Sequence, residues 1–362
     1  MPSAPPSNPM VCIQRAEYES VDLEGLLGPL GGLSSFVKRG QRVLLKVNLL
    51  SASTPDQAIV TDPRLVRVVA EAVLQVGATP FIGDSPAGSF TKGWLTRVYR
   101  KAGLLDLSRE LGVELNYDTG SEKVAVPDGK CLSSLNLASY VRKADVIVSL
   151  PKIKTHSFQI LTLGTKNMFG VVAGLTKARY HSAYMRKSAF ADMLLDVVSV
   201  VPPAVSILDG VVGMQGEGPG SSGTPVHLGV VMASRDVVSL DLAVCGMLEV
   251  EPVRVPVLRQ ARLRGLWPGE ILYPLLSPGD VAFPGFVLPK TAEKLPGGRL
   301  GPVRSPRVLE RCNGCGECVR ICPRGAMRLV DARARVELSR CIRCYCCQEV
   351  CPERAIVLEE IG

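Results

Sequence analysis

Apolar positions along the first two thirds of the chain follow two alternating rhythms. Residues 42–50 (RVLLKVNLL) form a nearly continuous apolar run, the pattern of a strand buried on both faces. Thr61-Asp62-Pro63 then supplies a cap and a first-turn proline, and Leu65, Val66, Val69, Val73 and Val76 recur at helical spacing as far as Gly77. Residues 79–83 are strand-like again, and a β-α-β unit of this kind joins parallel strands. Further strands are expected over 145–150, 205–208 and 228–232, with helices over 94–102, 189–200 and 237–248. The alternation predicts an α/β domain with a mainly parallel sheet and helices on both faces. Residues 252–302 hold nine prolines and are expected to pack irregularly, becoming a Pro/Gly-rich linker at 296–304. The expected division is therefore an α/β domain at 1–295, the linker, and a small module at 305–362.

Composition narrows the class. Hydrophobic residues make up 46% of the 362 and charged residues 21%, enough to bury a core and too apolar for wholesale disorder. The most apolar stretch, 197–208, is short and interrupted by Pro202-Pro203, so no membrane partner is expected. Residues 1–10 carry four prolines and neither a basic nor an apolar leader segment, which predicts a frayed tail and a cytoplasmic address. The formal charge of +8 is concentrated: residues 142–187 contain nine basic side chains and one acid, Asp145.

Polar motifs fall at the expected strand ends. Lys46 and Asn48 close the first strand, Asp84 and Ser85 (in DSPAG) follow the next, Lys152, Lys154, Thr155 and His156 (in PKIKTH) follow the third, and Asp209-Gly210 follows the fourth. Open α/β sheets bind ligands in the crevice at the carboxyl ends of their strands, so these motifs are expected to converge. Lys152 and Lys154 flank Ile153 and share one side of an extended segment with His156, forming a cationic shelf. With Lys166 and Lys46 that shelf suits a carboxylate or phosphate, and clustered lysines of lowered pKa can act as acid or base. Lys154, His156, Lys166 and His181 are the catalytic candidates. Lys46, Asn48, Asp84, Ser85, Lys152, Thr155, Asn167 and Asp209 are the substrate-binding ones. The plainer account is a solvated basic face, the usual fate of a charge run. His156 and His181 serve equally well as hydrogen-bonded core imidazoles or as proton donors. The six-glycine run 210–223 suits a phosphate cradle or mobile lid carrying Glu217, or simply a flexible loop. It has no Walker ending, and no G-x-G-x-x-G opens a helix after a strand.

Three of the twelve cysteines are scattered, and nine crowd between Cys312 and Cys351, as for metal ligation in a reducing compartment. Cys312, Cys315, Cys318 and Cys322 with Pro323 follow C-x2-C-x2-C-x3-C-P. Adding 29 to each position gives Cys341, Cys344, Cys347, Cys351 and Pro352, and maps Ala326 onto Ala355. A pair of zinc sites is the alternative, but zinc modules rarely follow this spacing. The duplication resembles the bacterial-type ferredoxin, a small α+β domain with two [4Fe–4S] clusters, over about residues 304–362. The resemblance implies crossed ligation, with Cys312, Cys315, Cys318 and Cys351 on one cluster and Cys341, Cys344, Cys347 and Cys322 on the other. Cys346 is surplus, either an inert buried thiol or an alternative ligand. At about −2 per oxidised cluster, the holo-protein's charge falls to about +4.

KVNLL, IGDSPAG, LPKIKTHSFQILTLGTKNMFGVVAG, ARYH and ILDGVVGMQGEGPG together resemble the prokaryotic domain-of-unknown-function family 362, often fused to a dicluster ferredoxin. The resemblance spans about residues 10–290, with 150–174 its most specific part, and implies an architecture without an agreed activity. Two function classes follow. One is an iron–sulfur oxidoreductase passing electrons to or from an anionic small-molecule substrate in the α/β crevice. The other is an electron carrier whose large domain docks a redox partner protein. Nucleic-acid binding is disfavoured, since aromatics are only 5% and no recognition motif accompanies the charge.

Overall fold

The computed structural model of the protein describes residues 8–220, 222–292 and 304–360. Residues 1–7 of the expected tail, and all of the expected linker 296–304 except Arg304, lie outside the described residues. The first strands are β1 (Val11–Arg15), β2 (Arg42–Lys46), β3 (Thr79–Gly83) and β4 (Glu114–Leu115). A hairpin of β5 (Ser121–Ala125) and β6 (Ser134–Ala138) follows, then β7 (Val146–Ser149), β8 (Lys152–His156) and β9 (Ile160–Thr162). The long strands β10 (Val205–Gly216) and β11 (Gly223–Ser234) complete the set. Among the described residues, nine of these strands form one sheet in the order β1-β11-β10-β7-β2-β3-β4, with β8 joined to β10 and β9 to β8. Strands β4, β3, β2, β7 and β10 run parallel, and β11 and β1 close one edge antiparallel.

Alternation along β2 shows why the sheet is covered on both faces. Val43 and Leu45 enter one core with the helix Pro63–Gln75, while Leu44 enters the other with the helices Lys187–Val200 and Val237–Met247. The first of these helices starts where its signals lie: the Asp62 side chain accepts the Arg64 N–H, and Pro63 occupies the first turn. It ends at Gly77, whose φ of 80° suits a residue without Cβ. The parallel register aligns Lys46 with Gly83 of β3 and Ser149 of β7, so the carboxyl ends of three strands finish level.

Two segments differ from expectation. The glycine run is not a loop over its first half, because β10 continues through it to Gly216 and pairs with β11. Its glycines are spacers: a Cβ at Gly210 would lie 2.9 Å from Ile153 and Val230, and one at Gly213 would press on Leu228 and the Ile153 carbonyl. Residues 252–292 are not wholly irregular either. Pro256 fills a first helical turn, and Val257, Leu258 and Ala261 bury one face of the helix Pro256–Leu263. Among the described residues, no helix is long and apolar enough to cross a membrane.

The C-terminal part is a small α+β unit. Strands β12 (Arg304–Val308) and β15 (Ile356–Glu360) pair antiparallel, β13 (Met327–Val330) and β14 (Arg333–Val336) form a hairpin, and two short helices span Glu317–Ile321 and Cys346–Glu349. Ile321, Cys346 and Val350 pack with Ala178 of the α/β part, and Ala87 lies against them. The unit therefore covers the strand ends.

Candidate functional site

Where the two parts meet lies a small cavity of about 80 Å³. Its α/β wall is built from the strand ends. Lys46, at the end of β2, forms a buried ion pair with Asp84 at 2.9 Å, and Asp84 also accepts the backbone N–H groups of Leu49 (2.6 Å) and Ser85 (2.8 Å). Gly170 crosses directly over this pair, where any Cβ would run into Asp84 Oδ1 and Lys46 Nζ. Asn167 ties two strand ends together: its Nδ2 donates to Lys46 O (3.2 Å) and Ser149 Oγ (2.9 Å), and its Oδ1 accepts from Asn48 Nδ2 (3.0 Å). Lys154 Nζ donates to Asn48 Oδ1 (2.6 Å) and Ile59 O (2.7 Å), and Lys177 Nζ to Ser85 Oγ (2.5 Å) and Val172 O (3.0 Å).

Lys166 stands apart. It rides on the short helix Gly164–Asn167, whose first N–H groups, Gly164 (2.7 Å) and Thr165 (3.2 Å), are accepted by the buried Asp241 carboxylate. Its Nζ lines the cavity and makes no hydrogen bond to any described residue. Thr162 Oγ1 and His181 Nδ1, both on buried side chains of the same wall, also have no hydrogen-bond partner among the described residues.

The opposite wall comes from the C-terminal unit and consists of Ile321, Cys346 and Glu349. Glu349 Oε1 sits 3.3 Å from His156 Nε2, outside hydrogen-bonding geometry. Burial governs the electrostatics. It lowers the pKa of Lys46 against the pull of Asp84, and that of Lys166 against Glu349. It drives Lys154 well below the usual ammonium range, helped by repulsion from Lys166 and Lys152, and brings Lys177 down to about 7. His181 falls to about 3 and stays neutral, while burial raises Glu349, opposed by Lys166 and Lys154.

Of the residues singled out from the sequence, Lys46, Asn48, Asp84, Ser85, Lys154, Lys166, Asn167 and His181 line this cavity. Lys152, Thr155, His156 and Asp209 do not. The expected shelf of Lys152, Lys154 and His156 is split, because five residues of β10 oppose two of β8: Asp209 pairs with Lys152 but Met214 with Lys154. Lys152 is thus turned to Asp209 (2.8 Å) and Tyr18, Thr155 Oγ1 accepts the Gly218 N–H, and His156 Nδ1 accepts the N–H groups of Phe158 and Gln159. Nor is the lysine run a solvated face, since Lys46, Lys152 and Lys154 are each at most 1% exposed. Sequence reasoning missed Lys177, which lay in the basic window without a motif, and Glu349, which belongs to the other part of the chain.

The cysteines fall into two sets. Cys312, Cys315, Cys318 and Cys351 line one small cavity, and Cys322, Cys341, Cys344 and Cys347 line another, together with Cys346. Backbone N–H groups point at the sulfurs: Ala334 donates to Cys312 Sγ (3.4 Å), Ala326 to Cys322 Sγ (3.1 Å) and Ala355 to Cys351 Sγ (3.3 Å). Thiols with amides to offset thiolate charge are the donor chemistry an iron–sulfur cluster takes, while among the described residues no group of three or more His, Cys, Asp or Glu side chains stands close enough together to hold a single metal ion.

Comparison with known proteins agrees with both parts. Residues 43–246 match the model of a domain of unknown function, DUF362, and residues 306–352 match a 4Fe-4S dicluster domain. A thylakoid-associated protein of Synechocystis sp. is 36% identical over 271 residues, 74% of this chain and 82% of that protein. The lactate racemase apoprotein from Thermoanaerobacterium thermosaccharolyticum is 16% identical with a TM-score of 0.43, over 65% of this chain and 56% of that one. A Thermotoga maritima protein is 13% identical with a TM-score of 0.32, over 53% of this chain and 49% of that one, so this chain spans about half the length of either structure. With a family model matching more than half its length, the chain belongs to the DUF362 family and carries an iron–sulfur domain of ferredoxin type at its C-terminal end.

Proposed function

We propose that the protein is an iron–sulfur oxidoreductase that holds a small anionic substrate in the cavity between its two parts and passes electrons to or from it. Bound by the two cysteine sets, a pair of [4Fe–4S] clusters would supply one-electron redox chemistry. One juxtaposition supports this reading: four lysines line one wall of the cavity, and the other wall is the helix that starts beside the ligand candidate Cys344. Lys166 Nζ, which lies over the Phe169 ring and has no hydrogen-bond acceptor among the described residues, binds the anion. Lys154, held by Asn48, orients it, and Ile321 and Cys346 exclude water. Lys177 Nζ holds the proton that a reduced product needs. The crowded thiols suit a reducing compartment, the cytoplasm.

A ligand-induced thermal shift on the reconstituted full chain, with a panel of small carboxylates and phosphates, tests the site. Lys166→Ala is expected to weaken the binding of any responding anion about ten- to a hundredfold, the worth of one charge-assisted hydrogen bond of roughly 1.5 to 3 kcal/mol, with iron content unchanged. Unaltered affinity, or no responding anion, removes the substrate reading.

Binding is also expected to take up a proton. Burial leaves Lys177 with a pKa of about 7, so much of it is neutral at pH 8. A bound anion favours the ammonium form and raises that pKa, so affinity falls as pH rises through and above 7. Calorimetry at pH 8 in buffers of different ionisation heat reads the uptake directly. Binding without proton exchange would show that Lys177 does not face the ligand.

A further inference from the structure

The cavity between the two parts limits what can occupy it. Its volume of about 80 Å³ compares with the roughly 150 Å³ that encloses one benzene, which leaves room for about three or four non-hydrogen atoms. Every residue of its lining is buried or half-buried. Most polar groups of the wall are already satisfied. Lys46 is paired with Asp84, Lys154 Nζ donates to Asn48 Oδ1 and Ile59 O, and Lys177 Nζ donates to Ser85 Oγ and Val172 O. Lys166 Nζ, Thr162 Oγ1 and His181 Nδ1 are the exceptions, with no hydrogen-bond partner among the described residues. They come from three separate elements, β9, the helix Gly164–Asn167 and the helix Thr176–Ala183. Thr162 and His181 are only 3% and 5% exposed, and the His181 ring is fixed, stacked on Phe190 at 4.3 Å with Phe158 and Phe169 beside it. A buried polar group without a partner costs free energy that a bound ligand recovers.

We infer that the occupant of this cavity is a monovalent oxyanion of about three or four non-hydrogen atoms, a one- or two-carbon carboxylate or its nitrogen counterpart nitrite, held by Lys166, Thr162 and His181. The inference rests on the reading of the cavity as a substrate site and narrows its substrate class. Lys166 supplies the charge, the Thr162 hydroxyl donates, and His181 Nδ1 donates in the tautomer that carries its proton there. Donors on three elements match an acceptor with more than one oxygen. Glu349, on the opposite wall, disfavours a second negative charge on the ligand. A longer chain would have to displace Ile321 or Cys346, which are packed with Ala178 and Val350.

Calorimetric titration of the reconstituted full chain with the sodium salts of formate, nitrite, acetate, propionate and succinate, at constant ionic strength, reads the size limit. Chloride is the control for bare charge. Formate, nitrite or acetate is expected to bind at least about tenfold tighter than propionate, succinate or chloride. Thr162→Val keeps the shape of the side chain and is expected to weaken that binding about two- to twelvefold, the worth of one neutral hydrogen bond. Ile321→Ala, with iron content unchanged, enlarges the cavity and is expected to bring propionate within about threefold of acetate. Leu50→Ala enlarges it from the α/β wall with the same expected result, and decides the matter if Ile321→Ala loses iron. Propionate or succinate bound by the unaltered protein as tightly as acetate, chloride bound as tightly as formate, affinity indifferent to Thr162→Val, or a size preference unmoved by enlargement would each overturn the inference and leave the substrate reading standing. If no anion of any size binds, the substrate reading falls and the inference with it.

Discussion

Replacing Cys322 with alanine is expected to leave the reconstituted protein with about four iron atoms per chain instead of about eight, the survivors held by Cys312, Cys315, Cys318 and Cys351. Cys322 follows Cys318 by four residues, and proximity in sequence alone would assign it to the first set. It lies instead in the cavity with Cys341, Cys344 and Cys347, while Cys351 has crossed to the first three. The matching amide contacts, Ala326 to Cys322 and Ala355 to Cys351, sit at equivalent positions of the repeat and hold each crossing sulfur in the same way. A cubane takes one thiolate per iron, so without Cys322 one iron of that cluster has no protein thiolate and the cubane is expected not to persist. Iron and sulfide analysis with EPR reads the outcome. Damage confined to the set of Cys312, Cys315 and Cys318 would contradict the crossed arrangement.

Asp209→Ala is expected to destabilise the α/β part by about 3 to 5 kcal/mol, the loss typical of stranding one member of a buried ion pair. Asp209 and Lys152 have fully buried side chains 2.8 Å apart. The same carboxylate accepts the Tyr18 hydroxyl (2.8 Å) and the Asp62 N–H (2.9 Å), so its removal also loosens the cap of the helix Pro63–Gln75. Both tryptophans, Trp94 and Trp267, lie in the α/β part, and their fluorescence during urea unfolding follows that part alone. Because the pair stands outside the cavity, anion affinity of the folded variant should match that of the unaltered protein. Lys152→Met with Asp209→Leu should recover part of the lost stability, since apolar packing replaces the buried pair while the Tyr18 hydroxyl and the Asp62 N–H still lose their acceptor. A loss under about 1 kcal/mol would mean that water reaches the pair.

The contrast between Lys152 and Lys154 also shows where sequence reasoning stops. Strands β2 and β3 and the helix between them were legible because strands buried on both faces are written as apolar runs and the helix carries its own cap and stop. Lys46, Asn48 and Asp84 followed, since strand ends converge in this fold. The cysteine sets were legible from spacing and resemblance. The bulge that parts Lys152 from Lys154 has no local signal, because it depends on how β10 slides past β8. Gly210 and Gly213 looked like loop residues because a glycine that admits a neighbouring strand and one that permits a turn are the same letter. Glu349 was invisible for a further reason: its place opposite Lys154 and Lys166 exists only once the two parts have met.

The 29-residue repeat raises a problem of orientation that Glu349 resolves. Two halves so alike make a plug that resembles itself when turned round, and a socket formed by strand ends has little in its shape alone to tell one half from the other. At the position equivalent to Glu349 the first half carries Arg320. Seated in reverse, the plug would bring a guanidinium into the closed space beside Lys154 and Lys166, where burial already disfavours positive charge, and that seating is disfavoured. Seated as it is, a carboxylate meets those groups. One charge reversal between the copies thus works as a key, favouring one half of a duplicated module against the cavity for the life of the molecule.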